Sequence, residues 1–349
     1  MASAATAPAS TALGAPMPQP PLRWPVRTLE HVDLWLHGFA LLSDDSATVP
    51  LYRRGYRDSL VVEKNRRNIL TALDGNRAAL SKGLQRSGYL DAQFLPFAFS
   101  SWEEMRGTAE RFLQFEGDPR RAPDRALAQR MAVLASVFRS ASDREWLRLF
   151  VASVHDEHVR FFNAEHTGLL RTRAAVITAV DSLWQQVYRM KFERFLNNTG
   201  QRQGDLVLSL PIGGEGRTGP GVAGRTMVAV PYPARVADAP DVLHVVAHEI
   251  TGSLVAPAVA DNVTPAEQRA GTADRYVAIG QVQAGVMLLT RIAPELVEGY
   301  QRYYLAQVGE RASALGGPPL AAAFASRFPL PPAIQQALTR QIDIVLSGI

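Results

Sequence analysis

Leu243 to Pro257 reads L-H-V-V-A-H-E-I-T-G-S-L-V-A-P, an apolar stretch of helical spacing that carries His248 and Glu249. Two histidines four residues apart on a helix lie one turn apart on one face, so both imidazoles can reach one tetrahedral zinc ion. A glutamate directly after the first histidine then lies beside the metal-bound water and takes its proton. His248 and Glu249 match the first two of these positions, but Gly252 stands where the second histidine is required. Glycine inside a helix costs about 1 kcal/mol relative to alanine. Its presence predicts close packing against Gly252, by a side chain that fills the space of the missing ligand.

Upstream, residues 206–210 and 226–232 are short β-favouring segments. The stretch 211–224 between them holds six glycines and two prolines, which reads as a long flexible turn closing a β-hairpin. Before that, 28–198 reads as helices: a largely buried one from Leu29 to Leu42, then 59–84 with a break near Asp74–Gly75. Segments 101–115, 123–138, 143–164 and 167–196 follow, with a stop at Asn197-Asn198-Thr199-Gly200. After Pro240 the helical pattern resumes through 241–259, 272–292, 294–308, 319–328 and 333–346. The expected fold class is mainly α with a small β-sheet or hairpin, α+β. Three regions follow: an extended Ala/Pro-rich arm (1–27), a helical N-terminal region (28–200), and a region with the hairpin and the His248 helix (201–349).

The chain has 349 residues, a net charge of +4 and no cysteine. Disulfides, thiolate metal sites and cysteine nucleophiles are excluded together. Only Lys64, Lys82 and Lys191 among the 37 basic residues are lysines, and the arginines are dispersed. No basic stripe with interleaved aromatics suggests a nucleic-acid partner. No run approaches the roughly 20 uninterrupted apolar residues of a membrane helix. No basic region followed by an apolar run marks a signal peptide. The default expectation is a cytoplasmic protein, or an extracytoplasmic one if a leader precedes Met1. Residues 1–22 hold seven alanines, five prolines and no charge, and cannot build a core. Ala7, Pro8, Pro16, Pro18, Pro20 and Pro21 are its candidate contacts for a protein partner.

Over about 204–292 the chain resembles the gluzincin branch of zincin-like metallopeptidases, a group of mostly exported bacterial proteins with H-E-x-x-H followed by an apolar pair and a proline. The helical N-terminal half, with V-D-L-W-L-H-G-F at Val32–Phe39, is compatible with that group. The resemblance implies a zincin-like fold with His248 as first ligand and Glu249 as general base. It also implies a glutamate ligand on the following helix. Tyr276–Ile292 contains no acid, and Gln281 or Gln283 stands in its place. Two of three ligands are thus lost. The resemblance therefore implies a catalytically inactive binding or structural subunit with no cofactor, its arm docking on a larger, membrane-associated assembly. The alternative is an active zinc-dependent metallopeptidase using His248, His244 and a carboxylate such as Asp261 or Asp274. A third reading is anion or lipid binding by arginine-bearing faces.

Other motifs carry less. His155-Asp156-Glu157-His158 with Glu165-His166 has ligand-like spacing, but Val151, Val154, Phe161 and Phe162 supply a buried face that leaves the polar run to solvent. Gly214-Glu215-Gly216-Arg217-Thr218-Gly219 matches a dinucleotide fingerprint formally, yet no helix opens after it. Ser253 has no recognisable base–acid partnership.

Overall fold

The computed structural model describes residues 24–43, 50–85 and 89–348. The expected arm, with Ala7, Pro8, Pro16, Pro18, Pro20 and Pro21, lies outside them except at its end. That end is not an arm. Trp24 is buried and Val26–Arg27 forms strand β1. The indole Nε1 of Trp24 donates to the Gln201 carbonyl at 3.2 Å, and its ring meets Trp184 edge-on at 6.5 Å. A buried tryptophan with a satisfied N–H anchors the chain on either side.

Strands β2 (Gly204–Ser209), β3 (Arg217–Pro220) and β4 (Thr226–Pro231) complete a mixed sheet of order β1-β2-β4-β3. β1, β2 and β4 run parallel, and β3 lies antiparallel to β4 at the edge. The expected hairpin between 206–210 and 226–232 is therefore corrected. Leu206 lies beside Val228 in parallel register, and the hairpin joins β3 to β4 instead. Parallel neighbours need a crossover, which a tight turn cannot supply. The glycine-rich stretch provides it and is not a free turn. The amides of Gly213, Gly214 and Glu215 donate to the carbonyls of Leu51 and Pro50.

Successive strand residues face opposite ways. Leu206, Leu208, Val228 and Val230 enter one hydrophobic core, while Val207, Met227 and Ala229 enter a second. Both faces are covered by helices, which is why β2 and β4 read as nearly continuous apolar runs.

The second core is built by α1 (Glu30–Leu42), α2 (Tyr56–Arg66), α3 (Ala72–Leu84), α4 (Trp102–Gln114), α5 (Arg125–Val137) and α6 (Ala141–Glu157). The break expected near Asp74 falls earlier. Asp74 lies in the first turn of α3 and accepts the Thr71 amide at 2.9 Å, a carboxylate cap that starts a helix. From α6 the chain passes through a π-helical turn, His158–Phe162, into α7 (Asn163–Thr172). α8 (Ala174–Leu183) passes through a second such turn, Trp184–Tyr188, into α9 (Arg189–Asn198). α8 and α9 pack in the first core with the C-terminal helices, so the helical layer changes side near Arg173, ahead of the expected boundary at 200.

The C-terminal layer comprises α10 (Pro240–Ile250), α11 (Gly252–Ala260), α12 (Pro265–Arg269), α13 (Thr272–Ile292), α14 (Val297–Gln307), α15 (Gly317–Arg327) and α16 (Pro332–Ser347). The helix expected over 241–259 is interrupted at Thr251. Its Oγ1 donates back to the carbonyls of Ala247 and His248 at 3.1 and 2.9 Å, a bond that bends helices. The helical run Val236–Ala260 is long and apolar enough to cross a membrane by length and composition, but 72% of its apolar window is buried inside the protein. That burial is what the central helix of a folded core has.

Candidate functional site

α10 lies against β4 and the edge strand β3. Its apolar positions Val242, Val245, Val246 and Ile250 are all buried in the first core, which sets the azimuth of the helix. That orientation sends His244 and His248 towards α14 and Glu249 towards β3. The His248 ring stacks on Tyr304 at 5.2 Å, and His244 packs against Tyr300 and Tyr303 at 6.1 and 5.8 Å. The Y-x-x-Y-Y spacing of Tyr300, Tyr303 and Tyr304 puts three rings on one helix face, a signal in the sequence that points to this wall.

Glu249 is 7% exposed. One carboxylate oxygen meets His248 Nδ1 at 2.9 Å, and the other accepts from Thr218 Oγ1 on β3 at 3.2 Å. Burial pushes this carboxyl up, but the His248 contact, the Arg217 charge and the Thr218 hydroxyl together hold it below the usual carboxylate range. Gly216, at the entry to β3, allows the loop to approach. A Cβ there would sit 2.6 Å from the Ala229 carbonyl oxygen and 2.7 Å from Glu249 Cγ.

A cleft of about 650 Å³ opens beside these residues, walled by β3 (Arg217–Pro220), Gln201, Glu249, Gly252, Ser253 and Gln281. Gly252 and Gln281 face each other across its floor. A Cβ on Gly252 would lie 3.0 Å from Gln281 Nε2. The side chain expected to crowd Gly252 is thus the Gln281 amide. Gln283 is turned away and donates to the Phe328 carbonyl at 2.6 Å.

These residues do not fit a zinc ion. His248 Nε2 is buried without a hydrogen-bonding partner, and Tyr304 presents its hydroxyl in the same condition. His248 is thus one imidazole with a free nitrogen, while the groups one turn along and on α13 are a bare glycine and an amide. His244 shares a helix face with His248 but lies against Tyr303 and Gly299, with Asp241 3.5 Å from its Nδ1. Asp261 and Asp274 are both exposed. Among the described residues no three His, Asp or Glu side chains are placed to share a metal ion.

Of the other candidates, Ser253 is exposed. The G-x-G-x-x-G stretch runs into β3 and opens no helix. The 155–166 cluster points in separate directions. His155 accepts from Trp102 at 3.4 Å, His158 meets Glu30 at 2.7 Å, Glu165 pairs with Arg67 at 2.6 Å and His166 with Asp33 at 3.0 Å. Glu157 corrects the reading of a solvated polar face. It is fully buried, 3.0 Å from His37 Nε2 and 2.7 Å from Lys64 Nζ, and it accepts from the Thr71 hydroxyl. Burial alone would raise this carboxyl, but His37 and Lys64 override it and hold it at about 2. This knot ties α1, α2 and α3 to α6. It acts in the helical layer, away from the cleft walls.

Comparison of the chain with protein-family models, with curated proteins and with solved structures finds no match in any of the three.

Proposed function

We propose that this protein is a degenerate zincin-like module that binds extended peptide segments in the β3 cleft and does not cleave them. The observation that carries the reading is the pairing of Gly252 with Gln281 beneath a sheet edge. The two positions where ligands would join His248 hold a hydrogen atom and an amide, while the parts that grip a peptide remain. β3 is the last strand of the sheet among the described residues, so one row of its backbone groups has no strand partner there. Such a row accepts an added strand through main-chain hydrogen bonds, with alternate side chains entering the cleft. The role that follows is that of a binding or structural subunit in a larger protein assembly.

The test is hydrogen exchange on the protein mixed with end-capped peptides, with mass spectrometry of the peptides in the same tubes. The reading expects slowed exchange in Arg217–Pro220 and intact peptides after long incubation. Cleaved peptides, or binding that leaves Arg217–Pro220 unprotected, would overturn it.

A further inference from the structure

We propose that the occupant of this cleft presents a cationic group, a lysine or arginine side chain or a free amino terminus, to Glu249. The inference rests on the peptide-binding reading and adds what the peptide must carry.

Glu249 lies in the cleft wall, with only the His248 ring and the Thr218 hydroxyl as hydrogen-bonding partners. Among the described residues no arginine or lysine nitrogen lies within 4 Å of it. The two nearby guanidinium groups are paired with other carboxylates, and Arg217 acts on Glu249 through its charge without contact. Arg217 pairs with Glu215 at 2.5 Å and donates to the Gly216 carbonyl at 2.8 Å. Arg225 pairs with Asp205 at 2.5 Å. The His248 ring and the Arg217 charge favour the ionised form of Glu249, so the wall presents a carboxylate with no ammonium or guanidinium in direct contact, to which an incoming cation adds a charge-assisted hydrogen bond.

A second acceptor points the same way. Gln201 is 9% exposed and donates through Nε2 to Thr199 Oγ1 and to the Ile250 carbonyl, both at 3.0 Å. Those two bonds fix the orientation of the amide. Its Oε1 is then buried with no donor. Gln201 and Glu249 both line the cleft. A wall offering a carboxylate and an idle amide oxygen accepts hydrogen bonds. An ammonium or guanidinium supplies several donors and the opposite charge.

The probe is an end-capped heptapeptide of alternating serine and valine. It is prepared with one lysine at each position in turn and with norleucine as the uncharged counterpart. A further version has a free amino terminus. Binding to the full chain is read by fluorescence anisotropy. At one lysine position, or with the free terminus, affinity should exceed that of the norleucine or capped peptide at least tenfold, and Glu249→Gln should bring that ratio close to one. Equal affinities throughout, or a ratio that survives Glu249→Gln, would overturn the inference while leaving the peptide-binding reading intact. Absence of binding by every peptide would instead sink that reading and the inference with it.

Discussion

Replacing Gly252 by histidine and Gln281 by glutamate should build a zinc site beside His248. The two positions are in contact range, and His248, four residues before the first of them, offers a buried Nε2 with no partner among the described residues. The backbone favours Gly252→His by a few tenths of a kcal/mol in helix propensity. The added Cβ would stand 3.0 Å from the Gln281 amide, the far end of a flexible side chain that gives way readily. Two imidazoles and a carboxylate would then be the donors offered to the ion. With free zinc at 100 times its dissociation constant, binding stabilises the folded state by about 2.7 kcal/mol. Unfolding entropy is about 2.1 cal/mol/K per residue, which for 349 residues is about 0.7 kcal/mol/K. The melting temperature should therefore rise by about 4 °C. The assay is calorimetric unfolding with and without zinc, after a chelator competition that measures the dissociation constant. The native chain should show no such rise. A double variant without a zinc-dependent rise, or a native chain that rises equally, would refute the geometry described here.

Glu157→Ala should cost about 3 kcal/mol, the low end for a broken buried ion pair, because the His37 ring loses its carboxylate while the buried Lys64 ammonium keeps Asp74 at 2.6 Å, measurable by urea unfolding. The pH dependence follows from the same group. Its carboxyl is held at about 2 against an ordinary 4.5, so its stabilisation is complete above 4.5 and is lost as pH falls towards 2. Between pH 5 and pH 2.5 the native chain should lose about 2.4 kcal/mol more stability than Glu157→Ala, compared by unfolding at the two pH values.

Much of the fold is legible in local pattern, and the parts that are not share a cause. The apolar run with His248 and Glu249 reads as a buried helix because burial on nearly every side leaves an almost wholly apolar sequence. Segments 206–210 and 226–232 read as strands for the same reason. Their pairing does not, because parallel and antiparallel neighbours use the same apolar residues. Only the crossover distinguishes them, and glycines suit a crossover and a hairpin turn equally. β3 escapes notice because Arg-Thr-Gly-Pro has neither the length nor the composition of a strand. It is held by the β4 ladder. Glu157 looks solvated among His155, Asp156 and His158. Its partners lie 93 and 120 residues away, beyond the reach of any local pattern. Trp24 is the same case, attached to an uncharged segment but anchored by Gln201 and Trp184. At the cleft, a glycine within a helical pattern anticipates a crowding side chain, and the Gln281 amide lies there. That Gln281 rather than Gln283 fills the role depends on the azimuth of α13, which packing against α11 and α16 decides.

The most direct test is the zinc content of the protein purified without chelators, measured by elemental analysis. One imidazole with a free nitrogen, followed by a glycine and an amide at the other two positions, predicts far less than one equivalent, unchanged by His248→Ala. One tightly held equivalent that disappears with His248→Ala would mean that other donors reach this imidazole, and the non-catalytic account would fall.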